Sequence, residues 1–187
     1  MLPLSIQNRF KRPGQMEREF MNYLKEANLT FDNSKTIASV EYYHQAVVVG
    51  NSNINFFTGN FNANDTNLVG SFVRPQSEHA VIYGIRVHSG ASATLEQTPW
   101  VPGFGVLALR AVNGKTTITN NSEVELKNFP STAWLNTLTT KDDGLFLLDE
   151  PIIWAGQTEL KYTLDLITAE VLANYNVRIS LVGIGLI

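Results

Sequence analysis

The sequence predicts an all-β protein, an antiparallel β-sandwich preceded by an arm and one short amphipathic helix. Three observations carry this. From Thr36 onward, β-branched and aromatic residues recur with period two in about ten short stretches. Gly, Asn and Pro turn signals separate those stretches at roughly 8–12-residue spacing, as in sandwiches and barrels. Helical periodicity occurs in one place only, near the N-terminus.

The elements follow in order. Met1–Gly14 carries Pro3, Pro13 and Gly14, and its charges Arg9, Lys11 and Arg12 are all positive, so it reads as an extended basic arm. Gln15–Asn28 is the helix. Met16, Phe20, Tyr23, Leu24 and Ala27 fall on one stripe. Glu17 and Glu19 in the first turn and Lys25 in the last suit the helix dipole, and Asn28 is placed to cap the C-terminus. The expected strands are Ile37–Val49, Ile54–Thr58, Leu68–Val73, Val81–His88, Gly105–Val112, Thr116–Thr119, Glu123–Leu126, Leu145–Leu148, Glu159–Ile167 and Val177–Leu186.

Asn113-Gly114 predicts a two-residue type I′ hairpin between Ala111-Val112 and Thr116-Thr117, because that turn needs φ > 0 at both positions. Leu160, Tyr162 and Leu164 alternate with Lys161, Thr163 and Asp165, a strand with one wet face. Gly183 and Gly185 interrupt the last strand, which suggests a bulge or a close backbone approach. The division is an arm and helix over 1–35 and a sandwich over 36–187. The first part is too small to hold its own core, so it must dock on this sandwich or on a neighbouring copy.

The 187 residues fit one domain, and their net charge of −3 gives the chain as a whole no polyanion-binding character. Charged residues make up 17%, below the usual ~25%, and Asn supplies much of the polar surface, with seven between Asn51 and Asn67. A neutral polar surface suits protein interfaces, which are depleted of Lys, Glu and Asp; Asn also suits loops. There is no Cys, so no disulfide or thiol chemistry, and no apolar run long enough to span a membrane. The N-terminal order, apolar before basic, is the reverse of a signal peptide.

Catalytic patterns are missing. His44, His79 and His88 have no zinc-ligand spacing, and the odd separation of His79 and His88 puts them on opposite faces of a regular strand. Asp142-Asp143 before Gly144 reads as a turn rather than half of a carboxylate pair with Asp149. Ser71 lacks the second glycine of a nucleophile elbow, and Gly103-Phe104-Gly105 is followed by strand pattern rather than helix. The expectation is no enzyme, no cofactor, no catalytic or metal residue, and no small-molecule substrate. The loop Asn60–Asn67 is rich in oxygen ligands for Ca²⁺ but lacks the EF-hand Gly and distal Glu. Trp100, Trp134 and Trp154 sit near Pro or Gly at strand ends, a position that serves either a sugar platform or a core plug.

Three stretches resemble the single jelly-roll capsid proteins of tailless icosahedral bacteriophages. They are the arm and helix Met1–Asn28; Asn67-Leu68-Val69-Gly70 with Ala80–Val87; and Glu150–Leu160 (Pro, Trp, Gly-Gln-Thr, then an alternating strand) with the terminal strand Val177–Ile187. The resemblance implies a jelly-roll-like sandwich acting as a virion structural protein that self-assembles into an icosahedral shell in the host cytoplasm. Its partners would be copies of itself and other virion proteins. Met16, Phe20, Tyr23 and Leu24 would form an intersubunit helix face, and Arg9, Lys11 and Arg12 would face the interior, against nucleic acid or membrane. The alternative is a carbohydrate- or receptor-binding module, lectin-like or spike-like, with its ligand site at Trp100, Trp134, Asn64 and Asp65.

Overall fold

A computed structural model describes residues 14–30, 32, 34–48, 53–60, 62–103, 114–130, 145–166 and 175–187. One helix, α1 (Gln15–Glu26), precedes nine strands. These are β1 (Ile37–Val47), β2 (Asn53–Phe56), β3 (Ala80–Ala91), β4 (Val101–Pro102), β5 (Lys115–Asn120), β6 (Glu123–Pro130), β7 (Leu145–Trp154), β8 (Leu160–Asp165) and β9 (Tyr175–Leu186).

The antiparallel pairs are nested. β1 pairs with β9, β2 with β8, β3 with β7 and β5 with β6. Further pairing of β9 with β3 and of β8 with β5 gathers the nest into two sheets, β1-β9-β3-β7 and β2-β8-β5-β6. The two-residue β4 extends the first sheet beyond β7, along the far half of β3. A long hairpin wound over itself in this way is the jelly roll.

α1 ends as its sequence directs. Asn28 adopts a left-handed φ of 53°, Leu29 N–H donates to Leu24 O at 2.8 Å, and Asn28 N–H donates to Lys25 O at 3.1 Å. These two bonds are the Schellman closure, with Leu29 folding back toward Leu24.

Between the sheets lies the main core, with Trp154, Tyr162, Phe56, Ile82, Ile85 and Ile179 fully buried. The first sheet is also apolar on half of its outer face. There Phe20 and Leu24 of α1 pack on Val81, Tyr83, Leu145, Val182, Ile184 and Leu186. β9 is therefore buried on both faces and paired on both edges, whereas β8 keeps the single wet face that its alternation predicts. Opposite Gly183, β3 slips one residue between Ile82 and Gly84. A Cβ on Gly183 would meet Val81 O at 2.1 Å, so the bulge and the glycine form one close backbone approach.

Two expectations about strands change. Leu68–Val73 is not a strand but a run of bends that carries Leu68 and Phe72 onto the core while turning around the β1 edge. Leu145–Leu148 continues through Pro151 to Trp154, because the apolar side chains at 146, 148, 152 and 154 stay on the core side across the irregular middle. Asn113 and the strand expected before it lie outside the described residues. A tight turn at Asn121-Ser122, with φ 46° and 72°, joins β5 to β6.

Candidate functional site

The sequence-derived candidates separate cleanly in space. Arg9, Lys11, Arg12 and Trp134 lie outside the described residues. The helix face expected to meet another subunit is used at home. Phe20 and Leu24 are 0% and 1% exposed, Met16 and Tyr23 pack beside them, and the Tyr23 ring meets Tyr83 edge-on at 6.4 Å. The correction has a simple cause: the outer sheet face at Val81, Val182 and Ile184 is apolar and needs a cover, and α1 is the nearest amphipathic element.

Asn64 and Asp65 belong to a loop that closes the free edge of β1. Gln45 N–H donates to Asp65 O at 2.8 Å, and the Gln45 side-chain amide donates to Asn64 O at 3.1 Å. Asn67 does the same with its side chain. Its Oδ1 accepts from Tyr43 N–H at 2.8 Å and its Nδ2 donates to Glu41 O at 2.7 Å, as a neighbouring strand's backbone would. Thr66 Oγ1 donates to Tyr43 O at 2.6 Å. Within the loop, Asn62 donates to Asp65 Oδ2 at 2.9 Å and accepts from Asn64 N–H at 3.1 Å. Of the oxygens proposed for Ca²⁺, the Asn64 and Asp65 carbonyls and Asn67 Oδ1 are engaged in edge closure, and Asn62 Oδ1 and Asp65 Oδ2 bond within the loop. Among the described residues no three His, Cys, Asp or Glu side chains converge on a metal-sized site.

His44 and His79 are structural acceptors. His44 Nδ1 accepts from Phe57 N–H at 2.7 Å among Phe56, Phe57 and Phe72, and burial lowers its pKa to about 4. His79 Nδ1 accepts from Gly156 N–H at 2.9 Å, which leaves Nε2 to donate to Thr30 O at 2.7 Å. It joins the segment after α1 to the turn after β7.

Trp100 is half-buried and stacked. The Arg178 guanidinium lies 4.3 Å from its ring and 4.6 Å from the Tyr43 ring, and it donates to Gln45 Oε1 at 2.7 and 3.1 Å. Arg86 holds Glu41 through both carboxylate oxygens at 3.0 Å. This polar half of the outer sheet face is the counterpart of the half under α1. Trp154 is fully buried, donates to Thr158 O at 3.1 Å, and is a core plug.

The feature sequence reasoning missed is a cavity of about 430 Å³ at the β1 edge, whose wall includes Tyr42, Asn67, Ser71, Arg74 and Glu78. The Arg74 side chain is 2% exposed. Its guanidinium lies 4.5 Å from the Tyr42 ring and 5.4 Å from that of Trp154, and Nε donates to Glu78 O at 3.0 Å. Nη2 reaches Leu186 O at 3.4 Å and Glu78 Oε2 at 3.9 Å, and the guanidinium also hydrogen-bonds the Tyr42 side chain. Glu78 is nearer to Lys35, at 3.0 Å. Two cations therefore share one carboxylate. Nothing in the sequence separates Arg74 from a surface arginine, since its burial comes from rings 32 residues before it and 80 after.

No protein-family model matches the chain, and no curated protein matches it.

Proposed function

We propose that this protein is a structural subunit that self-assembles into an icosahedral virion shell. The observation that carries the reading is the nested jelly-roll winding with a helix of the same chain laid over one sheet. Jelly rolls serve viral capsids, lectins and cupins, so the winding alone does not choose among them. The side chains do more to separate them. Among the described residues named for a sugar site, Trp100 is stacked on Arg178, and Asn64 and Asp65 close the β1 edge through their carbonyls. A cupin centre needs clustered His and carboxylate ligands, while His44 and His79 accept backbone N–H groups. Among the described residues, exposed valines and an unpaired β6 edge remain, features that suit contact with other copies. The basic residues Arg9, Lys11 and Arg12 extend the proposal to an arm that meets nucleic acid or anionic lipid inside the shell.

Electron microscopy and sedimentation of the purified full-length chain test this. Closed particles, or oligomers that grow with concentration, are expected. A monodisperse monomer at high concentration, unchanged by removing residues 1–14, overturns the proposal.

A further inference from the structure

Among the described residues the exposed large aliphatic side chains are Val47, Val69, Val73, Val101, Val124 and Ile187. They are not scattered evenly. Val69, Val73 and Ile187 rim the Arg74 cavity. Val124 stands at the tip of the β5–β6 hairpin, flanked by the exposed carboxylates of Glu123 and Glu125. The cavity therefore offers an aliphatic rim over a buried guanidinium, with Arg74 and Lys35 sharing the Glu78 carboxylate among the described residues. The hairpin offers an aliphatic side chain between acids. Each has the chemistry that the other lacks.

Their placement matters as much as their chemistry. The cavity lies at the edge formed by β1, at one end of the first sheet. The hairpin lies on β6, at one end of the second sheet, next to β7. Both adjoin the turn after β7: Arg74 O accepts from Gln157 N–H, while Asn120 Nδ2 donates to Ile153 O and Asn121 N–H to Glu159 O. They do not cover each other in the folded chain, since Val69, Val73 and Val124 all stay exposed. A contact between unlike patches is heterologous, and heterologous contacts close into rings or propagate.

We infer that the β5–β6 hairpin tip of one copy docks at the Arg74 cavity of the next, with Val124 on the Val69–Val73 rim and the Glu123 carboxylate directed toward Arg74 and Lys35. The inference rests on the shell-subunit reading and names the contact by which copies join. A single contact of this kind is weak. Around a closed ring, linked contacts act at high effective concentration.

Complementary variants test it. Val69→Asp damages the cavity rim and leaves the hairpin intact; Val124→Asp does the reverse. Val69 is 93% exposed and Val124 53% exposed, so thermal melts of the unassembled variants should match wild type. Val69→Ser and Val124→Ser repeat the test if either Asp variant melts early. By sedimentation velocity, each variant alone is expected to lose assembled mass at least tenfold. An equimolar mixture should form pairs and stop there, because one good hairpin meets one good cavity and the other two surfaces are spoiled. Glu123→Lys should act like Val124→Asp. If wild type assembles and either valine variant assembles equally well, the docking contact is wrong while the shell reading stands. Assembly of the mixture into large particles, or of one variant into symmetric dimers, also overturns it. A wild type that stays monomeric at every concentration overturns both.

Discussion

Along its β1 edge the chain closes its own backbone, while along β6 it leaves the edge unpaired among the described residues. On the β1 side, Asn67 imitates a missing strand, donating to Glu41 O and accepting from Tyr43 N–H, and Asp65 O takes Gln45 N–H. On the β6 side, a tight turn at Asn121-Ser122 leads into the exposed Glu123, Val124 and Glu125. An unpaired edge invites association, and proteins usually blunt it. The difference teaches that this sandwich blocks strand addition at β1 and keeps a side-chain cavity there instead, while β6 presents an edge beside acids that is unpaired among the described residues.

The largest expected effect breaks the closed edge from beneath. Trp154 meets Tyr42 edge-on at 5.6 Å and Phe57 edge-on at 6.2 Å, and it underlies Arg74. Trp154→Ala should lower stability by about 3–5 kcal/mol in chemical denaturation, since it empties the core and unseats the cavity together.

Acid comes next. The His44 imidazole has a pKa of about 4 in the folded chain against 6.5 when unperturbed, because burial disfavours its cation. The unfolded chain therefore binds a proton in this interval that the folded chain refuses. His44's contribution is whole above pH 6.5 and is lost as pH falls toward 4, amounting to about 2–3 kcal/mol. Melting temperatures at pH 7 and pH 4.5 should differ, and the His44→Leu variant should show a smaller difference while losing the bond to Phe57 N–H.

Asn67→Ala sharpens the comparison more gently. It removes two hydrogen bonds to an edge strand and should reduce stability by about 1–2 kcal/mol. Its distinctive consequence is faster amide exchange at Tyr43 and growth of edge-paired aggregates, because the β1 edge then resembles the β6 edge. Smallest in stability is Val69→Asp, within about 0.5 kcal/mol of wild type by denaturation, although it should abolish assembly.

What the sequence disclosed was local. The helix stripe, the Asn28 cap, the alternation of Leu160, Tyr162 and Leu164, and the meaning of Gly183 each depend on neighbours a few residues apart. The partner of a face or an edge is not local. Nothing near Phe20 says that its cover lies at Val182 and Ile184, so the helix face looked free for a second subunit. Nothing near Asn67 says that it serves Tyr43, 24 residues earlier. The Asn-rich stretch was visible as composition, but its use as a substitute strand depends on the winding of the whole sandwich.

Amide hydrogen exchange followed by mass spectrometry, across a concentration series of the wild-type chain, tests the contrast between the two edges most directly. In dilute solution the segment 41–45 should be protected and the segment 123–126 should exchange fast. As assemblies form, 123–126 and 69–75 should gain protection together, with 41–45 unchanged. Equal exchange of the two edges at every concentration, or new protection confined to 41–45, would contradict the account.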